Sequence, residues 1–281
     1  MRHMKHSNIA LILGRQGQAI GSGEWNLVYL AQNISDTNIF YRGGGIVFPL
    51  YLYEENMGKM ERRVNLDKDI VAKIAEAINP ENPVNPVNET SFPLDIFDYI
   101  YGILHSPAYR AKFKEFLKSD FPRIPYPKDA AEFALYRDAG RTLRETHLMR
   151  DAAPTLSEPT ARFPIPGDNI VDVVRWEATG VSLPRETTSP RGSGALAASC
   201  TLGRVWINGT QYFDNVPLAA WEQAIGGYHP AEKWLKDRKG RALAQDDLKH
   251  YQRIILALRR TREVMDSLAG ISFRSNSHEK H

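Results

Sequence analysis

Short apolar runs separated by glycine-rich stretches characterise the first fifty residues. Residues 9–13 and 26–30 form the first two runs, and residues 46–53 form a third that is dense in β-branched and aromatic residues. Runs of this length and composition between turn-forming residues are typical of β-strands. Pro49 predicts a strand end, an edge or a bulge within the third run, because proline lacks an amide donor. The pattern predicts a β-rich N-terminal part.

Apolar residues at helical spacing take over in the next hundred residues. They predict helices over residues 67–78, 95–104, 108–117 and 129–149. The first of these places Ile70, Val71 and Ile74 on one face. Asp129 is the predicted N-cap of the last, since a carboxylate there can accept hydrogen bonds from free amides of the first turn.

Strand and helix patterns follow each other again in the second half of the chain. The alternation of residues 170–178 and 200–207 predicts two strands. Residues 217–224 and 230–237 predict short helices, and residues 245–268 predict a long one with a continuous apolar stripe. The order of strands, helices, strands and helices favours an α+β fold, with a mixed or antiparallel sheet and a helical scaffold, over a βαβ repeat.

Residues 1–281 are expected to form one unit. An alternative is a division into four parts with different patterns. These are a β-rich part at 1–93, a helical scaffold at 94–150, a second β-rich part at 151–228 and C-terminal helices at 229–281.

The composition is that of an ordinary globular protein, with 42% hydrophobic and 25% charged residues. The formal net charge of +3 permits DNA binding only if the positive charge is concentrated locally. The single cysteine, Cys200, excludes an intrachain disulfide and a cysteine-rich zinc site. No apolar run approaches ~18 residues and no signal peptide is evident, so we expect a cytoplasmic protein without a membrane partner. The first predicted strand follows Met1 so closely that a preceding domain is expected to be missing.

Sequence motifs for catalysis are absent. No Gly-Lys-Ser/Thr loop follows a strand, and the glycine-rich residues 17–23 precede no evident helix, which argues against nucleotide binding. Two Asn-Pro pairs in the proline-rich linker lack the second proline and the aromatic residue of an amino-methyltransferase turn. Asp168, Asp172 and Glu177 share a segment, but no lysine follows at the spacing of a common nuclease core. The sequence therefore predicts no catalytic residues, no metal ligands and no cofactor.

Four stretches resemble the C-terminal specificity region of the single-polypeptide (Type ISP) restriction-modification enzymes, in that family's order. They lie within residues 2–16, 48–52, 98–125 and 234–268. The most specific match is Tyr-Gly-Ile-Leu-His-Ser-Pro at 101–107 together with Phe-Pro-Arg-Ile-Pro at 121–125. In such enzymes, nuclease, helicase and adenine-N6 methyltransferase modules precede this region, which selects the DNA sequence. The resemblance therefore implies recognition of double-stranded DNA, without cleavage or methylation by this chain.

Basic and amide side chains in or beside loops are the candidates for DNA contact. Arg15 and Gln16 end the first predicted strand, and these residue types can pair with guanine and adenine, respectively. Arg185 and Arg191 lie in a predicted loop, 184–194, that could become ordered on DNA. The densest basic run begins at Lys233 and is expected to contact phosphates. The complete predicted set is Arg15, Gln16, Arg42, Arg185, Arg191, Lys236, Arg238, Lys239 and Arg241.

Structural roles remain open for the same residues, including binding of backbone carbonyls, a solvated surface, or contact with the missing methyltransferase. Arg123, between two proline-containing pairs, favours a structural salt bridge or a clamp on carbonyl groups. Tyr99, Tyr101 and Tyr109 fall at helical spacing, which favours packing in the core over stacking on bases.

The function predicted from the sequence is a sequence-specific DNA target-recognition domain of a restriction-modification enzyme that contains an adenine-N6 methyltransferase. Strands and loops would read the major groove, while helices would support them and dock the methyltransferase and the helicase and nuclease modules. One alternative is a protein–protein docking module for a methyltransferase or helicase, which predicts no salt-dependent DNA affinity. The other is an unrecognised nuclease, which predicts metal-dependent cleavage by the chain.

Overall fold

The chain forms two compact units in a computed structural model that describes residues 1–14, 24–36, 38–41, 43–81, 91–150, 159–183 and 200–271. The first unit comprises Met1–Arg150 with Glu263–His281, and the second comprises Asp151–Arg262. Within the described residues there are eight α-helices and three small antiparallel sheets, which confirms the predicted α+β class. The four-part division of the chain stays a prediction.

A three-stranded antiparallel sheet holds the N-terminal segment of the first unit. Strand β1 (Ala10–Leu13) lies between β2 (Val28–Ala31) and β3 (Ile46–Pro49). All four residues of β1 are buried, which explains why its sequence is continuously apolar instead of alternating. Both of the first two predicted strands are confirmed, and Pro49 ends β3 as predicted.

The third predicted run divides into two strands at Leu50, and its second part belongs to a hairpin. Strand β4 (Tyr51–Asn56) pairs with β5 (Lys59–Val64). Met57 and Gly58 join them with φ angles of 49° and 77°, as a tight two-residue hairpin turn requires. Strand β5 was not predicted from the sequence, because four of its six residues are charged and no apolar alternation marks it.

The predicted helices of the first unit are present. They are α1 (Lys68–Ile78), α2 (Phe92–His105), α3 (Pro107–Lys112), α4 (Lys114–Leu117) and α5 (Ala130–His147). The Asp129 carboxylate accepts a hydrogen bond from the Glu132 amide at 2.8 Å, so the predicted N-cap is confirmed. Ile70 is 46% exposed, and its predicted place on the apolar face of α1 is wrong. The buried face is centred instead on Val71 and Ile74.

Helices α2 and α5 pack with their backbones in close contact. A Cβ atom at Gly140 would lie 1.8 Å from the carbonyl oxygen of Asp98, and one at Gly102 would lie 2.1 Å from that of Tyr136. The Arg144 guanidinium donates two hydrogen bonds to the Asp98 carboxylate, at 2.6 and 3.1 Å. Burial raises the pKa of the Asp98 carboxyl, and the Arg144 guanidinium opposes that shift. The helix pair therefore depends on two glycines and on one desolvated ion pair.

The helical spacing of the tyrosines in α2 and α3 reflects packing in the core. Tyr99, Tyr101 and Tyr109 are at most 1% exposed, which confirms the predicted role. The Tyr109 hydroxyl donates to the carbonyl oxygen of Arg123 at 2.8 Å. Arg123 itself forms the predicted structural ion pair, with Asp120 at 3.6 Å, although the Arg123 side chain is mostly exposed.

The second unit is built on another antiparallel sheet. Strand β7 (Cys200–Trp206) lies between β6 (Arg175–Leu183) and β8 (Tyr212–Pro217). The predicted strand at 200–207 is confirmed. The strand predicted at 170–178 begins only at Arg175, because Ile170 and Val171 pair with a loop outside the sheet and the amides of Asp172 and Val173 both donate to one carbonyl oxygen, that of Ile207. Strand β8 was not predicted from the sequence.

Three helices complete the second unit: α6 (Leu218–Trp221), α7 (Pro230–Lys236) and α8 (Gln245–Ala269). The residues of α8 from Glu263 onward belong to the first unit. The Tyr251 ring of α8 packs on Phe213 of β8 at 4.4 Å, and its hydroxyl donates to the carbonyl oxygen of Ala231 at 3.0 Å. No helix among the described residues is long and apolar enough to cross a membrane.

Candidate nucleic-acid interface

The predicted basic run lies at the end of α7 and in the loop that follows it. Within α7, two of its lysines are paired with carboxylates one helical turn away. Lys236 Nζ lies 2.8 Å from Glu232 Oε1, and Lys233 Nζ lies 2.8 Å from Asp237 Oδ2. Both pairs are on the surface, where such pairs contribute little to stability and open readily. Lys236 therefore remains accessible to an anion, but it is not the most available cation of the run.

The Arg238 side chain is held by contacts within the second unit. Its guanidinium lies 3.5 Å from the centre of the Trp234 ring, and Nη1 donates to the Trp234 carbonyl oxygen at 3.0 Å. Nε lies 3.8 Å from a carboxylate oxygen of Asp247, and the side chain is 25% exposed. His250 packs on the same indole, and burial, together with the nearby Arg238 charge, lowers its pKa. His250 therefore adds no positive charge near neutral pH.

Lys239 and Arg241 are the available cations of the run. Both side chains are exposed, and neither forms an ion pair or hydrogen bond with any residue that the structure describes. They flank Gly240, whose φ of +79° lies in the left-handed region that favours glycine. Glycine thus permits the sharp turn that presents the two charges side by side. We call residues 239–241 the basic turn.

The basic turn is held by backbone pairing with the segment before β6. The Gly240 amide donates to the Val171 carbonyl oxygen at 2.7 Å, and the Val171 amide donates to the Arg241 carbonyl oxygen at 3.0 Å. The Leu243 amide donates to the Asn169 carbonyl oxygen at 2.9 Å. The two cations are thus carried by a backbone that is fixed on both sides, while their side chains extend into solvent.

A network of three amide side chains anchors this segment in turn. Gln211, only 1% exposed, accepts hydrogen bonds from the Asn169 amide at 2.9 Å and from Asn208 Nδ2 at 3.0 Å. Its Nε2 donates to the Ile165 carbonyl oxygen at 3.0 Å and to Asn169 Oδ1 at 2.8 Å. Asn169 Nδ2 donates to the Leu243 carbonyl oxygen at 3.2 Å. The side chain of Gln211 therefore uses all four of its hydrogen-bonding positions.

A second group of polar and aromatic residues lies on the solvent-facing side of the β6–β8 sheet, which we call the outer face. Its members are Arg175, Glu177, Arg204, Trp206, Tyr212 and Asp214. The opposite side of the sheet packs in the core through Val205, Phe213 and Val216. The arginines of the outer face were not among the DNA-contacting residues predicted from the sequence. The alternation of arginine and tryptophan with buried residues in β7 is the signal that could have found them.

The two arginines of the outer face each lie over an aromatic ring and beside a carboxylate. The Arg175 guanidinium lies 5.0 Å from the Trp206 ring, and its Nη1 donates to Glu177 at 2.7 Å. The Arg204 guanidinium lies 4.4 Å from the Tyr212 ring. Charge is therefore nearly balanced on the outer face, in contrast to the basic turn.

Five of the nine predicted DNA-contacting residues lie outside the residues that the structure describes. They are Arg15, Gln16, Arg42, Arg185 and Arg191. Their proposed contacts stay predictions. Among the described residues, no group of three or more His, Cys, Asp and Glu side chains is arranged to hold a metal ion.

Comparison with known sequences and structures identifies the family to which this fold belongs. The family model of the Type ISP C-terminal specificity domain matches residues 1–267. A search of curated proteins found no match. Solved structures at 18–19% identity share the fold.

Three of those structures are complexes with DNA or with a DNA substrate mimic. The ATP-dependent Type ISP restriction-modification enzyme LlaBIII bound to DNA has a TM-score of 0.60 and 19% identity over 96% of this chain, which covers 16% of that enzyme. A nuclease-deletion mutant of the Type ISP enzyme LlaGI, in complex with a DNA substrate mimic, has a TM-score of 0.56 and 19% identity over 96% of this chain and 22% of its own. The DrdV–DNA complex has a TM-score of 0.59 and 18% identity over 95% of this chain and 25% of its own. The chain thus spans a quarter or less of the proteins that it matches.

Proposed function

We propose that this chain, which belongs to the family of Type ISP C-terminal specificity domains, recognises a DNA sequence for a restriction-modification enzyme. The observation that carries the proposal is the basic turn, where Lys239 and Arg241 are exposed and unpaired among the described residues on a fixed backbone. Cations in this arrangement suit DNA phosphates, because no protein ion pair must be broken before they bind.

Affinity and specificity would then come from different residues. Phosphate contacts position a protein on the duplex and carry no direct sequence information, whereas contacts with base edges do. The basic turn supplies contacts of the first kind. Its anchoring by Gln211 and Asn169 limits the conformational entropy that is lost when DNA binds.

We propose that the chain recognises its target without a catalytic centre of its own and acts in the cytoplasm. Its partners would be double-stranded DNA and the methyltransferase, helicase and nuclease modules of a longer enzyme. The LlaBIII and LlaGI structures support this assignment, because both are Type ISP enzymes captured with DNA or a DNA mimic.

The salt dependence of DNA binding tests the role of the basic turn. Each phosphate contact adds about 0.9 to the slope of log affinity against log salt concentration. The double variant Lys239→Ala/Arg241→Ala should therefore lower the slope by about 1.8 and bind more weakly at low salt. Fluorescence anisotropy with a labelled duplex, at several concentrations of NaCl between 50 and 200 mM, measures both effects.

The matched control is Lys68→Ala/Lys73→Ala, which removes two exposed charges from α1 in the first unit. It should leave the slope close to that of the unchanged chain. Equal slopes for all three proteins would show that the basic turn does not contact phosphates. DNA affinity that is absent and insensitive to salt in the unchanged chain would instead favour a protein docking module.

A further inference from the structure

Arg204 lies at the centre of the outer face. It is on the middle strand β7, opposite Glu177 of β6 and beside Asp214 of β8. Adjacent strands are about 4.8 Å apart, so the two outer strands of the sheet lie about 10 Å apart. The major groove of B-DNA is about 12 Å wide and admits a two-stranded β-ribbon. If the outer face entered the major groove, a side chain on the middle strand would therefore lie near the centre of the groove.

The Arg204 guanidinium is supported on one edge and free on the other. Nε is 3.3 Å from Asp214 Oδ1, and the plane lies over the Tyr212 ring at 4.4 Å. Its two Nη groups form no hydrogen bond with any described residue, and the side chain is 40% exposed. The backbone of Asp214 is fixed in turn, because its amide donates a hydrogen bond to the Arg162 carbonyl oxygen at 2.7 Å. Arg204 thus presents two parallel donors from a supported position.

Two parallel donors of this kind match guanine. In the major groove guanine presents two adjacent acceptors, N7 and O6, and arginine pairs with both in the commonest specific contact. The Tyr212 ring and the Asp214 carboxylate both fix the position of the Arg204 guanidinium group. Less conformational entropy is therefore lost when the group binds DNA. Lysine carries the same charge but lacks the planar fork, so its contact with the two acceptors is less fixed in geometry.

The charge of the outer face also suits base edges better than phosphates. Arg175 and Arg204 lie beside Glu177 and Asp214, at 2.7 and 3.3 Å, and the Asp214 carboxylate also lies 4.0 Å from Arg162 Nη2. The unbalanced cations lie on the basic turn, which pairs with Val171. Arg175, the first residue of β6, lies four positions after Val171, a span of at most about 14 Å. Within the second unit, a short segment thus connects the backbone that pairs with the basic turn to the outer face.

We infer that the outer face of the β6–β8 sheet reads a G·C base pair in the major groove, with Arg204 donating to guanine and Asp214 and Tyr212 positioning it. The inference rests on the proposed function, since it names the residue that would supply one base contact. Glu177, directly opposite Arg204, offers a carboxylate that can accept from the cytosine amino group of the same base pair.

The test compares the full chain with Arg204→Lys, first by selection from a randomised duplex pool and then by titration of the selected site. The unchanged chain should enrich a motif that contains at least one guanine on which Arg204 acts. Arg204→Lys should enrich the same motif, except that preference at one G·C position falls by about 10- to 100-fold. Its salt slope should not change, because the charge is retained.

Replacing that guanine by 7-deazaguanine removes the N7 acceptor without altering base pairing. The unchanged chain should lose affinity for this duplex, whereas Arg204→Lys, which lacks the planar pair of donors, should lose less. Lys249→Ala, which removes an exposed charge from α8, serves as the control and should keep the full motif. Thermal unfolding of each variant checks that the fold is retained.

The outcomes separate the two proposals. An unchanged motif for Arg204→Lys would overturn the base-reading role and leave DNA recognition intact. Equal losses at every position would also overturn it, because they indicate a structural role for Arg204. A failure of the unchanged chain to enrich any motif would overturn the proposed function and, with it, this inference.

Discussion

Gln211→Leu should weaken the second unit and the basic turn without removing a charge. The substitution keeps much of the side-chain volume but abolishes four hydrogen bonds of 2.8–3.0 Å. Three partner residues, Ile165, Asn169 and Asn208, lose a bond at a position that is only 1% exposed. DNA binding provides a second readout, because Asn169 also bonds to Leu243 beside the basic turn.

The expected cost follows from the number of bonds. A hydrogen bond between neutral groups contributes about 1 kcal/mol net, and a buried group left without a partner costs as much or more. Four such bonds, offset in part by the added apolar surface of leucine, give a loss of about 3–4 kcal/mol. For a unit of this size the melting temperature should fall by on the order of 10 °C.

Tryptophan fluorescence during thermal unfolding measures this effect in the second unit. Four of the five tryptophans lie there, Trp176, Trp206, Trp221 and Trp234, and only one lies in the first unit. The control is Gln245→Leu, which makes the same chemical change at an exposed position of α8. It should shift the melting temperature by no more than a few degrees.

The functional readout uses a labelled duplex at low salt. Gln211→Leu should bind DNA more weakly at a temperature where both proteins are folded, because the basic turn loses its anchor. A loss of stability below about 1 kcal/mol would refute the energetic argument, since it would mean that the four bonds exchange freely with water. Lost stability with unchanged affinity would refute the link between the network and the basic turn.

Two further predictions concern the first unit and are checked by helix unfolding followed with circular dichroism. Asp98→Asn removes the buried carboxylate that pairs with Arg144 and leaves only the partly exposed Glu145 beside it, so it should cost about 3 kcal/mol, whereas Asp138→Asn on an exposed pair should cost less than about 0.5 kcal/mol. Gly140→Ala would place a Cβ atom 1.8 Å from a carbonyl oxygen of α2 and should lower the free energy of unfolding by at least about 3 kcal/mol. The matched substitution Gly209→Ala meets no atom within 4 Å and should be nearly neutral, so equal effects of the two would contradict the close packing of α2 and α5.

Local patterns were sufficient for the helices and for the most apolar strands. The cap at Asp129 and the buried faces of α2 and α5 follow from spacing within about one turn. Strand β5 escaped prediction because its side chains are charged on both faces, and a hairpin of this kind is specified by its turn and not by a core. Residues 170–174 alternate like a strand, but Ile170 and Val171 pair with a loop about seventy positions away, and the amides of Asp172 and Val173 both donate to the Ile207 carbonyl oxygen.

The same limit applies to the candidate site. The sequence identified the basic run, but it could not distinguish Arg238, which packs on Trp234, from Lys239 and Arg241, which are exposed. That distinction depends on the direction in which each side chain leaves the turn at Gly240. Arg204 was not predicted because its support comes from Asp214 on a neighbouring strand. Cross-strand neighbours are set by register, which a single sequence does not reveal.

Selection from a randomised pool of DNA duplexes, at two salt concentrations, tests the central claim most directly. A recognition domain should enrich one short asymmetric motif, and its affinity for that motif should fall steeply as salt rises. The absence of any enriched motif, together with binding that does not depend on salt, would contradict DNA recognition by this chain.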